Sequence, residues 1–314
     1  MGDRRSQLNM AHALTAHTRV GDLYATLVTD NATKANLFFA HGVLIVEGDG
    51  EALILPALAR AIGFDLDEHG VSIVNVKGTG LRRFSKIFQK SDASKTWISI
   101  PVACVADMDV MPDAAPQILG LVENDDDPKW VNPKRRWKAK KDFGADAPAI
   151  AAGLKERSEG LCKDDAQNVR TFVSDHWTLE YDLARTGLGS MVFHAAMLAS
   201  AHDKICDGSK AQGEVIAEAE NSFAKLWAEC DEDDELTAIQ IYEFFTTKKA
   251  SKAIAAQYLA AAIDTEAASE GFDAAAFEAR LPDYLLDAIK HACGKTPPAD
   301  PPAEAQPAPA AATQ

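Results

Sequence analysis

The sequence contains no apolar run long enough to cross a membrane. A membrane-spanning helix needs about 20 predominantly apolar residues, and none of the 314 residues lie in such a stretch. The N-terminal stretch MGDRRSQLNMAHALTAH also lacks the apolar segment of a signal peptide. These absences predict a cytoplasmic protein that makes no membrane contact.

Cysteine and histidine patterns that hold transition metals are also missing. Five cysteines stand at wide spacings with no CxxC pair, and the eight histidines form no HExxH motif. A zinc ribbon, a zinc protease site and a disulfide framework are therefore excluded, and reduced thiols are expected. Aromatic residues make up 7% of the chain and hydrophobic residues 47%. With its Ala-rich and Glu-rich stretches, this composition is typical of a helix-rich α/β protein.

Positive charge is scarce overall but locally concentrated. The formal charge of −15 argues against general adhesion to nucleic acid. Two basic stretches nevertheless predict a local track for a polyanion. The candidate DNA-contacting residues are Lys134, Arg135, Arg136 and Lys138 in the segment PKRRWKAKKD, and Arg82 and Arg83 earlier in the chain.

Three continuously apolar runs, at 43–47, 71–76 and 100–107, predict parallel strands that are buried on both faces. Helical patterns at 51–62 and 81–88 separate them, which gives a βαβαβ order. In such a sheet, ligands bind at the carboxyl ends of the strands.

The rest of the chain predicts a mainly helical appended region. One more strand is expected at 168–174. The further helices are predicted at 178–186, 189–202, 213–229, 236–247, 251–264 and 274–292. The expected divisions are a helical N-terminal segment (1–37), a catalytic core (38–186), a helical region (187–295) and a disordered Pro/Ala-rich tail (296–314). The core contains a polar insertion at about 112–165, whose length predicts a functional or mobile segment.

Carboxylates follow two of the predicted strands. Glu47 ends the first strand, ahead of a glycine-containing turn and Glu51, and Asp107 and Asp109 form a DxD after the third strand. In an extended chain, the two DxD side chains would leave the same face. Neighbouring buried carboxylates repel each other unless a cation or proton intervenes, and hard oxygen ligands select Mg²⁺ or Mn²⁺. For Glu51, an alternative is that it only complements the helix dipole.

This arrangement resembles the Toprim fold of topoisomerases, primases and OLD (overcoming-lysogeny-defect) nucleases. That fold places a Glu after the first strand and a DxD after the third. The OLD branch is indicated by the second Glu in the turn, by the later segment WTLEYDLA and by a lysine before an Ala-Gln-rich helix. The most specific stretches are FFAHGVLIVEGDGEALILPAL and WTLEYDLA, and the resemblance spans roughly 38–264.

The resemblance implies a Toprim, Rossmann-like parallel sheet acting as a metal-dependent DNA endonuclease. It places two Mg²⁺ or Mn²⁺ ions among Glu47, Glu51, Asp107, Asp109, Thr178 and Glu180. Lys252 aligns with the catalytic lysine, with Lys248 and Lys249 as alternatives. Glu47, Asp107 and Lys252 are the implied catalytic residues.

The implied partners are DNA and, because complete OLD proteins carry an N-terminal ATPase that is absent here, an ABC-type ATPase domain or subunit and a helicase. DNA repair, replication or phage defence would be the setting, and the oligomeric state stays open. The sequence Gly294-Lys295-Thr296 lacks the upstream glycine of a nucleotide-binding loop.

Two other functions remain open. A non-catalytic Toprim module would bind DNA for a partner ATPase or helicase. A DxD phosphatase would instead carry its nucleophilic Asp after the first strand, where this chain has Glu47. Near the predicted site, His176 and Tyr181 are interpreted as structural residues. Trp130 and Trp137 either anchor the insertion or stack on bases.

Overall fold

The computed structural model describes residues 37–295 apart from residues 38, 79 and 90–98. The helical segment predicted over 1–37 lies outside the described residues except for Leu37, and so does the tail predicted over 296–314.

A four-stranded parallel sheet forms the centre of the fold. Its strands are β1 (Gly42–Val46), β2 (Val71–Asn75), β3 (Val102–Ala106) and β4 (Val169–Val173). Their order across the sheet is β2-β1-β3-β4, and all neighbours are parallel. Every residue of β1 and β3 is buried, which explains why these central strands are continuously apolar in sequence. The α/β class and the parallel sheet are therefore confirmed.

Short helices connect the strands and fill the insertion. They are α1 (Asp49–Ala61), α2 (Leu81–Ser85), α3 (Ala115–Ile118) and α4 (Ala147–Cys162). The insertion is therefore partly helical. The start of α4 is capped by Asp146, whose carboxylate accepts a hydrogen bond from the Ala149 N–H.

The chain beyond β4 is helical, as predicted. Its helices are α5 (Leu179–Leu183), α6 (Gly189–Ser200), α7 (His202–Cys206), α8 (Gln212–Glu229), α9 (Asp234–Thr246), α10 (Lys252–Ala267), α11 (Ala274–Glu278) and α12 (Asp283–Ala292). A kink over Ala184–Leu188, with non-helical backbone at Gly187, joins α5 to α6.

The single helix predicted over 274–292 is wrong. The structure divides it into α11 and α12, with Pro282 immediately before the second helix. Proline disfavours helical backbone in the residue before it and lacks an N–H to donate, so the first helix stops ahead of it.

One hydrophobic core joins the sheet to the helical region. It extends from Leu44 in β1 to Ala292 in α12 and includes buried residues of α1 and α10. At the surface, Arg60 and Asp264 link α1 to α10 through a two-pronged ion pair of 2.8 Å. The five cysteines are unpaired. No helix within the described part of the chain has the length and apolar character needed to span a membrane.

Candidate active site

Glu47 and Asp107 lie together because of the strand register. Each is the first residue after its strand, Glu47 after β1 and Asp107 after β3. These strands are parallel neighbours with Val43 opposite Val102, so both carboxylates leave the same edge of the sheet. This is the edge at which open α/β sheets bind ligands.

The turn after β1 gives room for two further carboxylates. A Cβ at Gly48 would lie 3.0 Å from Glu51 Oε2, and one at Gly50 would lie 3.4 Å from Glu180 Oε1. The glycines therefore let the carboxylates of Glu51 and Glu180 approach the backbone at the start of α1. Both of these acidic residues are buried.

Asp109 does not continue the extended chain after β3, and the prediction of an extended DxD is wrong. Its φ of 56° lies in the left-handed region, which non-glycine residues adopt at a cost. Three hydrogen bonds hold this turn: Met108 N–H donates to Ser174 Oγ (2.7 Å), Asp109 N–H to the Trp177 carbonyl (3.1 Å), and Arg157 Nε to the Met108 carbonyl (2.6 Å). Asp109 still lies within electrostatic reach of Glu47, and its charge contributes to the raised pKa of Glu47.

The segment Thr178–Glu180 brings a hydroxyl and a carboxylate to the same place. Thr178 is the N-cap residue of α5, and the Leu179 N–H donates to Asp107 Oδ1 at 3.1 Å. The Thr178 hydroxyl is buried but makes no capping bond. It lies near the Tyr242 hydroxyl and has no partner of good hydrogen-bond geometry among the described residues.

Lys252 is the lysine that reaches the carboxylates. It is the first residue of α10, whose N-terminus is capped by Ser251. Its Nζ donates to Glu180 Oε2 at 2.8 Å and to the Tyr242 hydroxyl at 3.1 Å. Lys249, an alternative, is paired with Glu243 at 3.1 Å. The geometry therefore favours Lys252 over Lys249.

Crowding of these carboxylates disfavours their charged forms. Burial, followed by the charges of Asp109 and Glu51, raises the pKa of Glu47 to about 7, although Arg82 opposes this. Burial and the neighbouring Glu180 raise the pKa of Glu51, and the same two causes with Glu51 hold the pKa of Asp107 well above its usual range. The cluster therefore favours protons or other cations.

For Lys252, in contrast, the surroundings favour the charged form. Burial alone would lower its pKa, but the charge of Glu180 and the hydrogen bonds to Glu180 and Tyr242 outweigh that effect and raise the pKa. Its side chain keeps 43% of its surface exposed. The ammonium is therefore held in its charged form and is still accessible from outside.

The donor set fits a hard divalent cation in its chemistry. It consists of carboxylates and one hydroxyl, without sulfur or imidazole, and the glycine turn lies directly against two of the carboxylates. In the arrangement present, no three acidic, His or Cys side chains of the described chain lie close enough to hold one metal ion. The Lys252 ammonium instead provides the positive charge next to Glu180.

The predicted basic residues divide into structural and exposed ones. Arg135 pairs with Asp142 at 2.7 Å and its guanidinium lies 4.3 Å from the centre of the Trp137 ring. Trp137 packs edge-on against Trp130, which favours the anchoring interpretation of both tryptophans. Lys134, Arg136 and Lys138 lie exposed on the same segment.

Arg82 lies closer to the carboxylates than these residues do. Its guanidinium donates to the Gly160 carbonyl at 2.9 Å, and its charge acts on Glu47. Arg83, one position later on α2, is exposed at the surface.

Several residues of the site had no distinctive sequence pattern. Tyr242, which contacts Lys252, lies in the run IYEFF, a pattern typical of core packing. Ser174 and Arg157 hold the DxD turn from distant positions in the sequence. His176 contacts Arg185 at 2.6 Å, and burial followed by the charge of Arg185 lowers its pKa to about 4. This supports its interpretation as a structural residue.

Comparison with known proteins matches part of this site to a family model. Residues 38–109, which contain Glu47, Glu51 and the DxD, match the model of the Toprim domain of overcoming lysogenization defect protein-like proteins. No curated protein matches the chain.

Two solved structures align with most of the chain at low sequence identity. The C-terminal region of the Burkholderia pseudomallei OLD protein aligns with 82% of this chain and 98% of its own, at 20% identity and a TM-score of 0.42. The corresponding region of the Xanthomonas campestris pv. campestris OLD protein aligns with 82% and 95% of the two chains, at 20% identity and a TM-score of 0.42. On the match of the family model, residues 38–109 form a Toprim domain of the OLD-like type.

Proposed function

We propose that this chain is a metal-dependent endonuclease that cleaves phosphodiester bonds in DNA. The observation that carries the proposal is the convergence of five carboxylates and one lysine at the carboxyl edge of the Toprim sheet. The carboxylates of this set repel one another, and bound cations on a nucleic-acid-acting fold would offset that repulsion.

Two Mg²⁺ or Mn²⁺ ions are the proposed cofactors. Asp107 and Asp109 would hold them. The residues that would complete the ligand shells are Glu47, Glu51, Thr178 and Glu180. When bound, the ions supply Lewis-acid activation of water and stabilise the charge on the attacking and leaving oxygens.

The protein's own groups contribute carboxylates and a cation. Burial and acidic neighbours raise the pKa of Glu47 when no cation is present, and a bound cation would favour its charged form as a ligand. Lys252 stays charged and partly exposed, so its ammonium can contact the scissile phosphate. There it would stabilise the negative charge that develops in the transition state.

The proposed DNA contacts lie on the basic insertion and on α2. Lys134, Arg136 and Lys138 are exposed, and Arg82 lies within electrostatic reach of Glu47. These side chains suit backbone phosphates rather than base edges, so we expect little sequence preference. Arg135 is assigned to the support of this segment, because Asp142 and Trp137 already hold it.

A plasmid assay tests the proposal. Supercoiled DNA is incubated with the protein in Mg²⁺, Mn²⁺, Ca²⁺ or EDTA, and binding is followed separately in Ca²⁺. Cleavage in Mg²⁺ or Mn²⁺ with none in EDTA is the expected result. Binding without cleavage under every condition would instead indicate a non-catalytic DNA-binding module.

The proposal extends to organisation and partners. We assign residues 38–186 to the catalytic core and 187–295 to the helical region that supplies Lys252. An ABC-type ATPase domain or subunit and a helicase are the proposed protein partners, and the five unpaired cysteines suit a reducing cytoplasm.

A further inference from the structure

Tyr242 contacts Lys252 with both its hydroxyl and its ring. The hydroxyl oxygen accepts a hydrogen bond from Lys252 Nζ at 3.1 Å, and the Nζ lies 4.9 Å from the ring centre. The side chain of Tyr242 comes from α9 and is only 7% exposed. The lysine therefore has a buried aromatic neighbour in addition to Glu180.

Trp177 connects this tyrosine to the DxD turn. The two rings lie 4.2 Å apart between centres, and the Trp177 carbonyl accepts the N–H of Asp109 at 3.1 Å. The position of the tyrosine ring is thus tied to the backbone that carries Asp107 and Asp109. Any ion held by these carboxylates would have a fixed relation to the tyrosine.

The two residues that contact Lys252 have different proposed roles. Glu180 pairs with Lys252 but is also a proposed ligand of the metal ions. Tyr242 is no proposed metal ligand, although the charge of Glu180 also acts on it. Its contact with the ammonium can therefore persist when Glu180 turns toward a cation.

The other buried tyrosines provide a comparison. The hydroxyls of Tyr181 and Tyr284 have no hydrogen-bond partner within the described part of the chain. Tyr181 also packs against Trp177, at 5.5 Å between ring centres. It is therefore close to Tyr242 in environment but lacks the contact with the lysine.

We infer that Tyr242 is the positioning residue of Lys252: its hydroxyl and ring hold the ammonium at the place where the scissile phosphate is bound. The inference rests on the nuclease function proposed above. It gives Tyr242 no contact with DNA and no part in proton transfer. The physical basis is that a lysine side chain loses much conformational freedom on being fixed, and a pre-formed contact supplies that order before substrate arrives.

A double-mutant cycle on full-length protein tests this inference. The four proteins are the wild type, Tyr242→Phe, Lys252→Ala and the variant carrying both changes. Single-turnover cleavage at saturating enzyme should fall about tenfold in Tyr242→Phe, as expected for loss of a hydrogen bond to a charged group. The same change should have no further effect when Lys252 is already alanine. DNA affinity in Ca²⁺ should stay the same.

Urea unfolding of the same four proteins in EDTA gives a readout independent of cleavage. Removal of the Tyr242 hydroxyl should lower the folding equilibrium constant several-fold more when Lys252 is present than when it is absent. Tyr181→Phe is the matched control, and we expect it to cleave at the wild-type rate.

The outcomes separate the two proposals. A wild-type protein that cleaves no DNA in any metal overturns the nuclease function and this inference with it. If the wild type cleaves and the two losses multiply, Tyr242 acts independently of Lys252 and the inference alone is overturned. An unaffected Tyr242→Phe protein would overturn it as well.

Discussion

Lys252, the first residue of α10, and Lys249, which lies between α9 and α10, have different contacts. Lys252 Nζ contacts Glu180 and Tyr242, whereas Lys249 Nζ contacts Glu243 away from the carboxylate cluster. Lys252→Ala should therefore lower single-turnover cleavage by roughly 10²-fold or more, as does the loss of one preorganised donor. DNA affinity in Ca²⁺ should barely change, because a contact made in the transition state contributes little to ground-state binding.

Lys249→Ala is the control for this prediction, measured in the same assay. It removes an equal charge from a neighbouring position and should leave the rate unchanged. If Lys249→Ala lost activity and Lys252→Ala kept it, the assignment of the lysine would be wrong by about one helical turn.

The raised pKa of Glu47 predicts how the stability of the fold depends on pH in the absence of divalent cations. Its pKa rises from 4.5 to about 7 on folding, so the folded protein holds this proton more tightly than the unfolded chain. The free energy of unfolding should therefore fall as pH rises from about 4.5 to 7, and this group should contribute no further change above that. Because Glu47 is partly exposed, we expect an effect on the order of 1 kcal/mol.

Urea unfolding in EDTA at several pH values between 5 and 8 measures this effect. Glu47→Gln should lose less stability than the wild type over that range. Some slope should remain, because burial also raises the pKa of Asp182 to about 7. Identical slopes in the two proteins would contradict the placement of Glu47 among like charges.

The basic insertion is the element on which DNA affinity should depend. Replacing Lys134, Arg136 and Lys138 by Ala should weaken binding to unrelated duplexes about equally. It should also flatten the plot of log K against log salt by about 0.9 for each lost phosphate contact. Fluorescence anisotropy at a series of salt concentrations measures both quantities.

Arg135→Ala distinguishes a residue that stabilises the basic insertion from the residues that contact DNA. Arg135 is enclosed by Asp142 and Trp137, so its loss should lower the melting temperature more than the triple change does. An unchanged salt dependence in the triple variant would mean that these three side chains make no phosphate contacts.

The elements themselves were predicted well where burial dictates the sequence. The runs at 43–47 and 100–107 are apolar because β1 and β3 are covered on both faces, and the acids that follow them mark the strand ends. The left-handed turn at Asp109 was not predictable in this way, since it depends on Ser174, Trp177 and Arg157 from distant parts of the chain.

Residues that support the site from within the core leave little trace in a single sequence. Tyr242 has the spacing of a core aromatic and gains its contact with Lys252 only through the packing of α9 near α10. The break at Ala184–Leu188, where Gly187 has a φ of 111°, was in contrast predicted, since separate helices were expected at 178–186 and 189–202.

On the scale of the whole molecule, the candidate site draws on both the sheet and the helical region. Glu47 and Asp107 follow the strands, whereas Lys252 and Tyr242 come from helices whose buried faces share the same hydrophobic core. The relative position of acid and lysine is therefore fixed by core packing rather than by a flexible connection.

Plasmid cleavage by the wild type and by Asp107→Asn, side by side in Mn²⁺ and in EDTA, tests the central claim most directly. Asparagine keeps an oxygen that can accept the Leu179 N–H and removes a charge that Glu180 and Glu51 repel. We predict cleavage by the wild type in Mn²⁺ only, no cleavage by Asp107→Asn, and a melting temperature of the variant equal to or above that of the wild type. Full cleavage by a folded Asp107→Asn protein would contradict the metal-dependent nuclease assignment.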